Sequence, residues 1–292
     1  MHLPRTWTLA AVLATAVAVS AAPPPAPPLR VTAIPEARDD LQKNEAVFTA
    51  WLGHETGVPV VLRLASSYEE AVQLLVSKEA DLGWLGGVTT VQVMTQTAGR
   101  VHPVVIREKD REFKSYVIAA SSLGAGSLKA LRGKRFTFGS PLSTSGHVMP
   151  RFFLLQQGLV PEKLFGSVTY SGDHKKTVLA IASGQQDCGA VNYKVFDQMV
   201  ADREVDPAKV EVVWTSPTFV DQAWVAARDV DARLAPAMLQ RIKAAFLALD
   251  ASRPGDRRVL HILKTDRYVE AKAEWWRGVA AALSAVKLPA SP

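Results

Sequence analysis

The 292-residue chain holds a single cysteine, Cys188. It can form no intramolecular disulfide, and paired-thiol metal or redox motifs are excluded. Within the apolar run that leads to Asn192, Cys188 reads as a buried thiol behaving as a small hydrophobe. Beyond residue 22 no uninterrupted apolar stretch approaches the roughly 18 residues of a membrane span. Basic residues are not clustered: Lys+Arg 34 against Asp+Glu 28 gives a net charge of +6, spread over many segments. That pattern does not make the stripe that nucleic acid requires, and no nucleic acid partner is expected. The serines lack a G-x-S-x-G elbow, so Ser145, His147, His174 and Asp173 are not read as a hydrolase set and no catalytic residue is expected. His54, His102, His147, His174 and His261 show no metal-ligand spacing, and Gly133-Lys134-Arg135 lacks the hydroxyl residue after lysine that a phosphate loop needs. Neither a metal nor a cofactor is implied. A hydrophobic content of 48% excludes a disordered chain, and the length suits two domains of roughly 150 residues.

The start of the chain reads as an export signal. His2 and Arg5 precede an apolar run from Trp7 to Val19, and Ser20-Ala21-Ala22 supplies the small residues of a cleavage site. Residues 1–22 are therefore expected to be a removed signal peptide. No cysteine follows the leader for lipid attachment, so a soluble periplasmic protein of a Gram-negative bacterium is expected. Residues 23–28, rich in proline, cannot supply regular hydrogen bonds and read as an extended tether.

From Leu29 short β-like runs alternate with amphipathic helices. Strands are expected at Leu29–Ile34, Val58–Leu64, Ala80–Leu85 and Val101–Ile106, with helices at Asn44–Glu55, Tyr68–Ser77 and Thr89–Thr97. This β-α-β order implies parallel pairing with helices on the sheet faces. A second set follows, with strands at Tyr116–Ala120, Arg135–Gly139, Ser167–Tyr170 and Cys188–Asn192. Its helices are expected at Ser127–Leu131, Gly146–Gly158, Lys175–Ser183 and Tyr193–Ala201. After Val210–Trp214 and the stretch Pro217–Ala227, the tail reads as helices over Ala235–Ala248 and Tyr268–Val286, whose apolar faces need the first sheet. The chain is thus expected to form two α/β lobes, crossing between them near Lys114–Ile118 and Phe219–Val225.

Two strand-to-helix turns carry candidate chemistry. In Phe136–Pro150 (FTFGSPLSTSGHVMP) three consecutive hydroxyl residues, Ser143, Thr144 and Ser145, sit where a helix begins. Free backbone N–H groups and the positive end of the helix dipole point outward there, so hydroxyls and amides can together hold an oxyanion. Ordinary N-capping would need only one of the three. In Tyr170–Thr177 (YSGDHKKT) His174 begins the next helix and can donate to an anion, or simply cap the helix.

The runs FGSPLSTSGHVMP, YSGDHKKTVLAIASGQQDCGAVNYKVFD, WTSPTFVDQAW and ADLGWLGGVTTVQ, with Arg107–Tyr116, resemble the periplasmic substrate-binding proteins of phosphonate, phosphite and phosphate ABC importers. The chain is most similar to a subgroup labelled putative selenate importers, over Leu29 to Ala285. The resemblance implies an α/β, type II periplasmic binding protein of two lobes, each a mostly parallel sheet flanked by helices, with two crossover strands as hinge. Lobe 1 would comprise 29–115 with 222–292, and lobe 2 would comprise 116–221. Such a protein captures a small oxyanion, makes no bond, acts as a monomer and serves an inner-membrane ABC permease. A sensor protein serving a membrane histidine kinase is the alternative.

The same resemblance implies that Ser143, Thr144, Ser145 and His174 hold the anion, with Tyr68 facing it from lobe 1 and Asp221 as an acidic pocket residue. Two positions depart from the family. Phe113 stands where phosphonate binders carry a tyrosine. Lys194 stands where a carboxylate recognises the amine of aminoalkyl phosphonates, which argues against an amine-bearing ligand.

Overall fold

A computed structural model describes residues 26–288. The expected signal peptide and Pro23–Pro25 of the tether lie outside the described residues. Among the described residues, no helix is long and apolar enough to cross a membrane.

Among the described residues, eleven strands form two sheets: β1 Leu29–Ala33, β2 Val60–Leu62, β3 Leu82–Leu85, β4 Val101–Arg107, β5 Ser115–Ala120, β6 Arg135–Phe138, β7 Ser167–Tyr170, β8 Cys188–Asn192, β9 Val210–Thr215, β10 Ala223–Ala227 and β11 Tyr268–Glu270. The first sheet has the order β11-β4-β10-β3-β1-β2 and the second β7-β6-β8-β5-β9. Leu82–Leu85 and Ala223–Ala227 are buried throughout, as central strands covered by helices on both faces must be. β1, β2, β3 and β4 point one way, as expected from the β-α-β order. β4 does not pair with β3, however: the returning strand β10 lies antiparallel between them. In the second sheet β5 plays the same part, antiparallel between β8 and β9. A strand that arrives from the other lobe without a crossover helix enters the sheet in the opposite sense.

The first sheet carries the larger core. Trp84 and Trp224 stack at 5.3 Å, Phe48 stacks on Trp224 at 5.6 Å, and Phe246 closes the group at 4.9 Å from Trp224. Truncating one such buried ring costs about 3–5 kcal/mol. The second lobe packs Phe136 on Phe165 at 4.1 Å and Phe138 at 4.8 Å. Cys188 is fully buried there; burial pushes its thiol up to about 12, and Sγ donates to the carbonyl of Arg135 at 3.6 Å.

The chain passes between the sheets at two neighbouring segments. Phe113 N–H donates to the Phe219 carbonyl at 2.8 Å and Phe219 N–H to the Phe113 carbonyl at 3.0 Å. Ser216 Oγ accepts from Ser115 N–H at 2.9 Å. The crossings thus run side by side and support one another, an arrangement suited to a hinge.

Three local expectations are corrected. Tyr268–Val286 is not one helix: Tyr268–Glu270 forms edge strand β11, a 3₁₀ turn covers Ala273–Trp276, and the helix is Arg277–Ala285. Tyr268 is held there by β4 and by Trp224, whose Nε1–H donates to the phenol at 3.2 Å. Helices at Pro35–Lys43 and Pro254–Ile262 were unexpected. Each begins with proline at a first-turn position, and in the former only Ala37 and Leu41 are buried, too weak a period to register in the sequence. The helix expected from Gly146 begins earlier, as a π-helical turn over Thr144–Val148 that runs into Met149–Gln156.

Candidate functional site

The parallel strands deliver their helix-entry turns to one cleft between the sheets, at their carboxyl ends, where open α/β sheets bind ligands. β1 leads to Glu36, β2 to Tyr68, β3 to Gly86–Val88, β6 to Ser143–Ser145, β7 to His174 and β8 to Asn192–Lys194. The segment after β4 contributes Asp110, and the second crossing contributes Asp221.

Ser143 caps the wide turn. Its Oγ accepts from Gly146 N–H at 3.0 Å and lies 3.4 Å from His174 Nε2. The π-type bond from Val148 N–H to the Ser143 carbonyl, 3.0 Å, opens the turn by one residue. Gly146 is required in this turn, because a Cβ would stand 2.7 Å from His174 Cε1 and 2.9 Å from Ser143 Oγ. Ser145 is buried in the same turn.

His174 is 4% exposed and its tautomer follows from its neighbours. Nδ1 accepts from Asn192 N–H at 3.2 Å, so Nε2 carries the proton and directs it at Ser143 Oγ and at Glu36 Oε2, 3.5 Å away. Tyr68 lies beside Ser143; burial, with the Glu36 carboxylate near, keeps its phenol well above the ordinary range and therefore a donor.

Thr144 faces the first lobe, where Val88 N–H donates to its Oγ1 at 3.0 Å. Gly87 N–H donates to Asp221 Oδ1 at 2.8 Å. The first-turn amides of helix Gly87–Gln96, which have no partner within the helix, are thus met by a hydroxyl from one lobe and a carboxyl group from the crossing. The approach is close: a Cβ on Gly87 would stand 3.0 Å from Thr144 Cγ2 and 3.1 Å from the Val220 carbonyl oxygen, so either neighbour would have to give way. Burial and the Glu36 carboxylate raise Asp221 to about 7, and Trp276 Nε1–H holds the Asp221 carbonyl at 3.2 Å.

The structure therefore brings together Tyr68, Ser143, Thr144, Ser145, His174 and Asp221. Lys194 and Phe113 lie at the hinge side and join the others only through Asp110, whose carbonyl accepts from Asp221 N–H at 3.1 Å. Lys194 Nζ donates to Asp110 Oδ1 at 2.5 Å and lies 4.8 Å from the Phe113 ring centroid. Burial lowers the ammonium's pKa while Asp110 opposes that. Asp110 is fully buried and also accepts from Arg107 Nε, whose Nη2 donates to Gln222 at 2.6 Å. Phe113 packs edge-on against Tyr193 at 5.0 Å. It is wholly buried and belongs to the crossing rather than to the hydroxyl cluster.

Sequence reasoning missed Glu36, Asn192 and Asp110. Glu36 follows a strand and begins a helix, the same layout that singled out Ser143 and His174, so the signal was present. Asp110 sits in a short 3₁₀ turn of charged residues, EKDRE, and nothing local separates it from a solvated loop.

A family model described as "ABC transporter, phosphonate, periplasmic substrate-binding protein" matches residues 32–276. A Prochlorococcus marinus protein named as a probable ABC transporter phosphite binding protein is 31% identical over 86% of this chain and 87% of its own length. The chain belongs to this family. This binding protein is accordingly the periplasmic solute-binding component of an ABC importer, a partner of the importer's permease and not an enzyme. Its fold matches that of the Prochlorococcus marinus protein solved with methylphosphonate, at a TM-score of 0.82, covering 88% of this chain and 97% of the other. A phosphate-import protein of Mycolicibacterium smegmatis is 27% identical over 77% of this binding protein and 72% of its own length.

Proposed function

We propose that this binding protein captures a small tetrahedral or pyramidal oxyanion, of the phosphonate, phosphite, phosphate or selenate kind, between its two lobes. The observation that carries this reading is the approach of Ser143 Oγ, the proton-bearing Nε2 of His174 and the Tyr68 phenol to one another, from three different strand ends. These are hydrogen-bond donors at helix starts, where an anion is also favoured by the helix dipole. The Prochlorococcus marinus relative, named for phosphite and solved with methylphosphonate, supports the same ligand class.

The lobes are taken as 29–115 with 222–292 and 116–221, turning about the paired crossings at Phe113 and Phe219. An amine-bearing ligand is disfavoured, because Lys194 already engages the buried Asp110 carboxylate. The exported protein starts at Ala22 or Pro23, after removal of the leader, and acts as a monomer.

A thermal-shift screen on purified mature protein tests the reading. Phosphite, methylphosphonate, phosphate and selenate are each supplied, with chloride as control. A ligand that binds only the folded state stabilises it by RT ln(1 + [L]/Kd), about 2.7 kcal/mol at a hundredfold excess over Kd. At least one of these anions is expected to raise the melting temperature. If none does, and calorimetry also finds no heat of binding, the reading fails.

A further inference from the structure

The donor set at the cleft faces a carboxylate as well as an anion seat. Glu36, from the turn after β1, lies with Oε2 3.5 Å from His174 Nε2, and its Oε1 accepts from Asn192 Nδ2. His174 Nε2 is in turn 3.4 Å from Ser143 Oγ. The Glu36 side chain is 17% exposed and touches lobe 2 through both oxygens, so it forms part of the wall of the site. We propose that Glu36 is a specificity-determining residue: it accepts a hydrogen bond from a protonated oxygen of the bound anion, so the site takes oxyanions that keep a proton and rejects those that have none. This rests on the oxyanion reading above and narrows it to hydrogen phosphonates, hydrogen phosphite or hydrogen phosphates, against sulfate and selenate.

The physical reason is a counting of protons. Ser143, Tyr68 and the Nε2–H of His174 can each place a hydrogen between themselves and a ligand oxygen. An ionised carboxylate has only lone pairs, and against a bare anionic oxygen it is repelled. A ligand O–H removes that conflict, because it supplies the proton and Glu36 supplies the acceptor; no proton changes owner. Sulfate and selenate near neutral pH have no O–H to offer.

The charge state of Glu36 is set from all sides. Burial acts to raise its carboxyl, and His174, Arg107 and Asn192 together outweigh burial and hold it below the ordinary range. Asp221, raised to about 7, is the other acid facing it, and the Tyr68 phenol stays neutral. Just below pH 7 the cleft therefore presents one ionised and one protonated acid, an acceptor and a donor.

The test is titration calorimetry of wild type, Glu36→Gln and Glu36→Asp with methylphosphonate, phosphite, sulfate and selenate at pH 6.5, with melting curves to establish folding. Wild type is expected to prefer methylphosphonate or phosphite over selenate and sulfate by at least a hundredfold. Glu36→Gln, which adds an N–H donor, is expected to lose affinity for the protonated anions and gain it for selenate and sulfate, narrowing the ratio at least tenfold. Glu36→Asp keeps the acceptor and should keep the preference at reduced affinity. A wild type that binds selenate as tightly as phosphite overturns the proposal, and so does a Glu36→Gln protein whose ratio is unchanged. Equal strengthening of all four anions in Glu36→Gln overturns it too, since Glu36 would then be only a competing anion. A wild type that binds none of the four instead overturns the oxyanion reading itself.

Discussion

The groups that lobe 2 presents to the cleft, Ser143, Thr144, Ser145, His174 and Asn192, are hydroxyls, an imidazole and an amide. Lobe 1 and the crossings present Tyr68 together with three largely buried carboxyl groups, Glu36, Asp110 and Asp221. Each acid is answered differently. Asp110 is paired with the cations of Arg107 and Lys194, Asp221 accepts a backbone amide and is raised to about 7, and Glu36 is met by His174 and Asn192. The Arg107 and Lys194 cations are therefore engaged by Asp110 at the hinge side, and the anion seat itself is lined by hydroxyls, an imidazole and an amide. The contacts between the lobes join donor to acid, so the proposed ligand seat and the lobe contact draw on the same atoms.

The hardest way to break this arrangement is steric. In Gly146→Ala the new methyl group meets His174 and Ser143, both rigid parts of the seat, and overpacking of this kind costs about 1–3 kcal/mol. Because the displaced atoms are the donors themselves, anion affinity should fall by more than a hundredfold, read by calorimetry on protein shown to be folded by its melting curve. Unchanged affinity would remove the seat from this turn.

Removing donors singly comes next. Ser143→Ala, Thr144→Val and Ser145→Ala should each weaken binding by about 1–3 kcal/mol, the range for a hydrogen bond to a charged partner. Thr144→Val has a second effect, loss of the Val88 N–H contact between the lobes, so it should also reduce the change in radius of gyration that small-angle scattering measures on adding ligand. If all three variants bind as wild type does, the hydroxyl cluster is structural.

Much of this donor side is legible in the sequence, because it resides in local turns. A strand, a glycine and a run of hydroxyl residues at a helix start are contiguous, and Ser143–Ser145 and His174 follow from them. The acid side is dispersed. Glu36 and Asp110 acquire their partners only when Asn192 and Lys194 arrive from lobe 2, at sequence separations of 156 and 84. Strand directions are likewise legible and strand neighbours are not: β10 inserts between β3 and β4 only because the chain returns from the other lobe. Tyr268–Glu270 reads as helix in the sequence for the same reason, since an edge strand is fixed by the strand it joins.

Acidity sharpens the contrast between the lobes. His147, in lobe 2, donates from Nδ1 to the Pro141 carbonyl at 2.7 Å and accepts from Arg151 Nε at 2.9 Å; burial, with Arg151 adding to it, lowers the imidazole to about 4. Its folded value is below the ordinary 6.5, so its contribution is complete above pH 6.5 and is lost as pH falls toward 4, amounting to roughly 3 kcal/mol. Asp221 has the opposite sign. Its folded value is above the ordinary 3.8, so stability declines as pH rises from about 4 to about 7, by roughly 4 kcal/mol or less. In wild type the two slopes oppose each other between pH 4 and 6.5. Chemical denaturation across this range should show His147→Gln losing stability with rising pH and Asp221→Asn losing it with falling pH; equal slopes in both would contradict the assignment. Asp221→Asn should also abolish the part of the affinity loss above pH 7 that comes from ionising this acid.

The smallest expected effect lies at the hinge, where the charged pair of Lys194 and Asp110 touches the ligand's surroundings rather than its seat. Replacing Lys194 with Glu would set two carboxylates face to face, and so Lys194→Met is the cleaner variant. It keeps much of the apolar stem packed near Phe113 and Tyr193 and removes only the ammonium, while Arg107 continues to hold Asp110. Affinity for methylphosphonate or phosphite should change by less than about threefold, roughly 0.6 kcal/mol. A ligand bearing its own ammonium, such as 2-aminoethylphosphonate, would find the freed Asp110 oxygen and the faces of Phe113 and Tyr193, and should gain about tenfold relative to methylphosphonate, near 1.4 kcal/mol. Raising the salt concentration discriminates the mechanism, because a general change in surface charge is screened while a contact with a fully buried carboxylate is screened much less. A relative gain that vanishes in high salt, or no gain at all, would show that the Asp110 end of the cleft does not communicate with the anion seat, and the disfavouring of amine-bearing ligands would lose its structural basis.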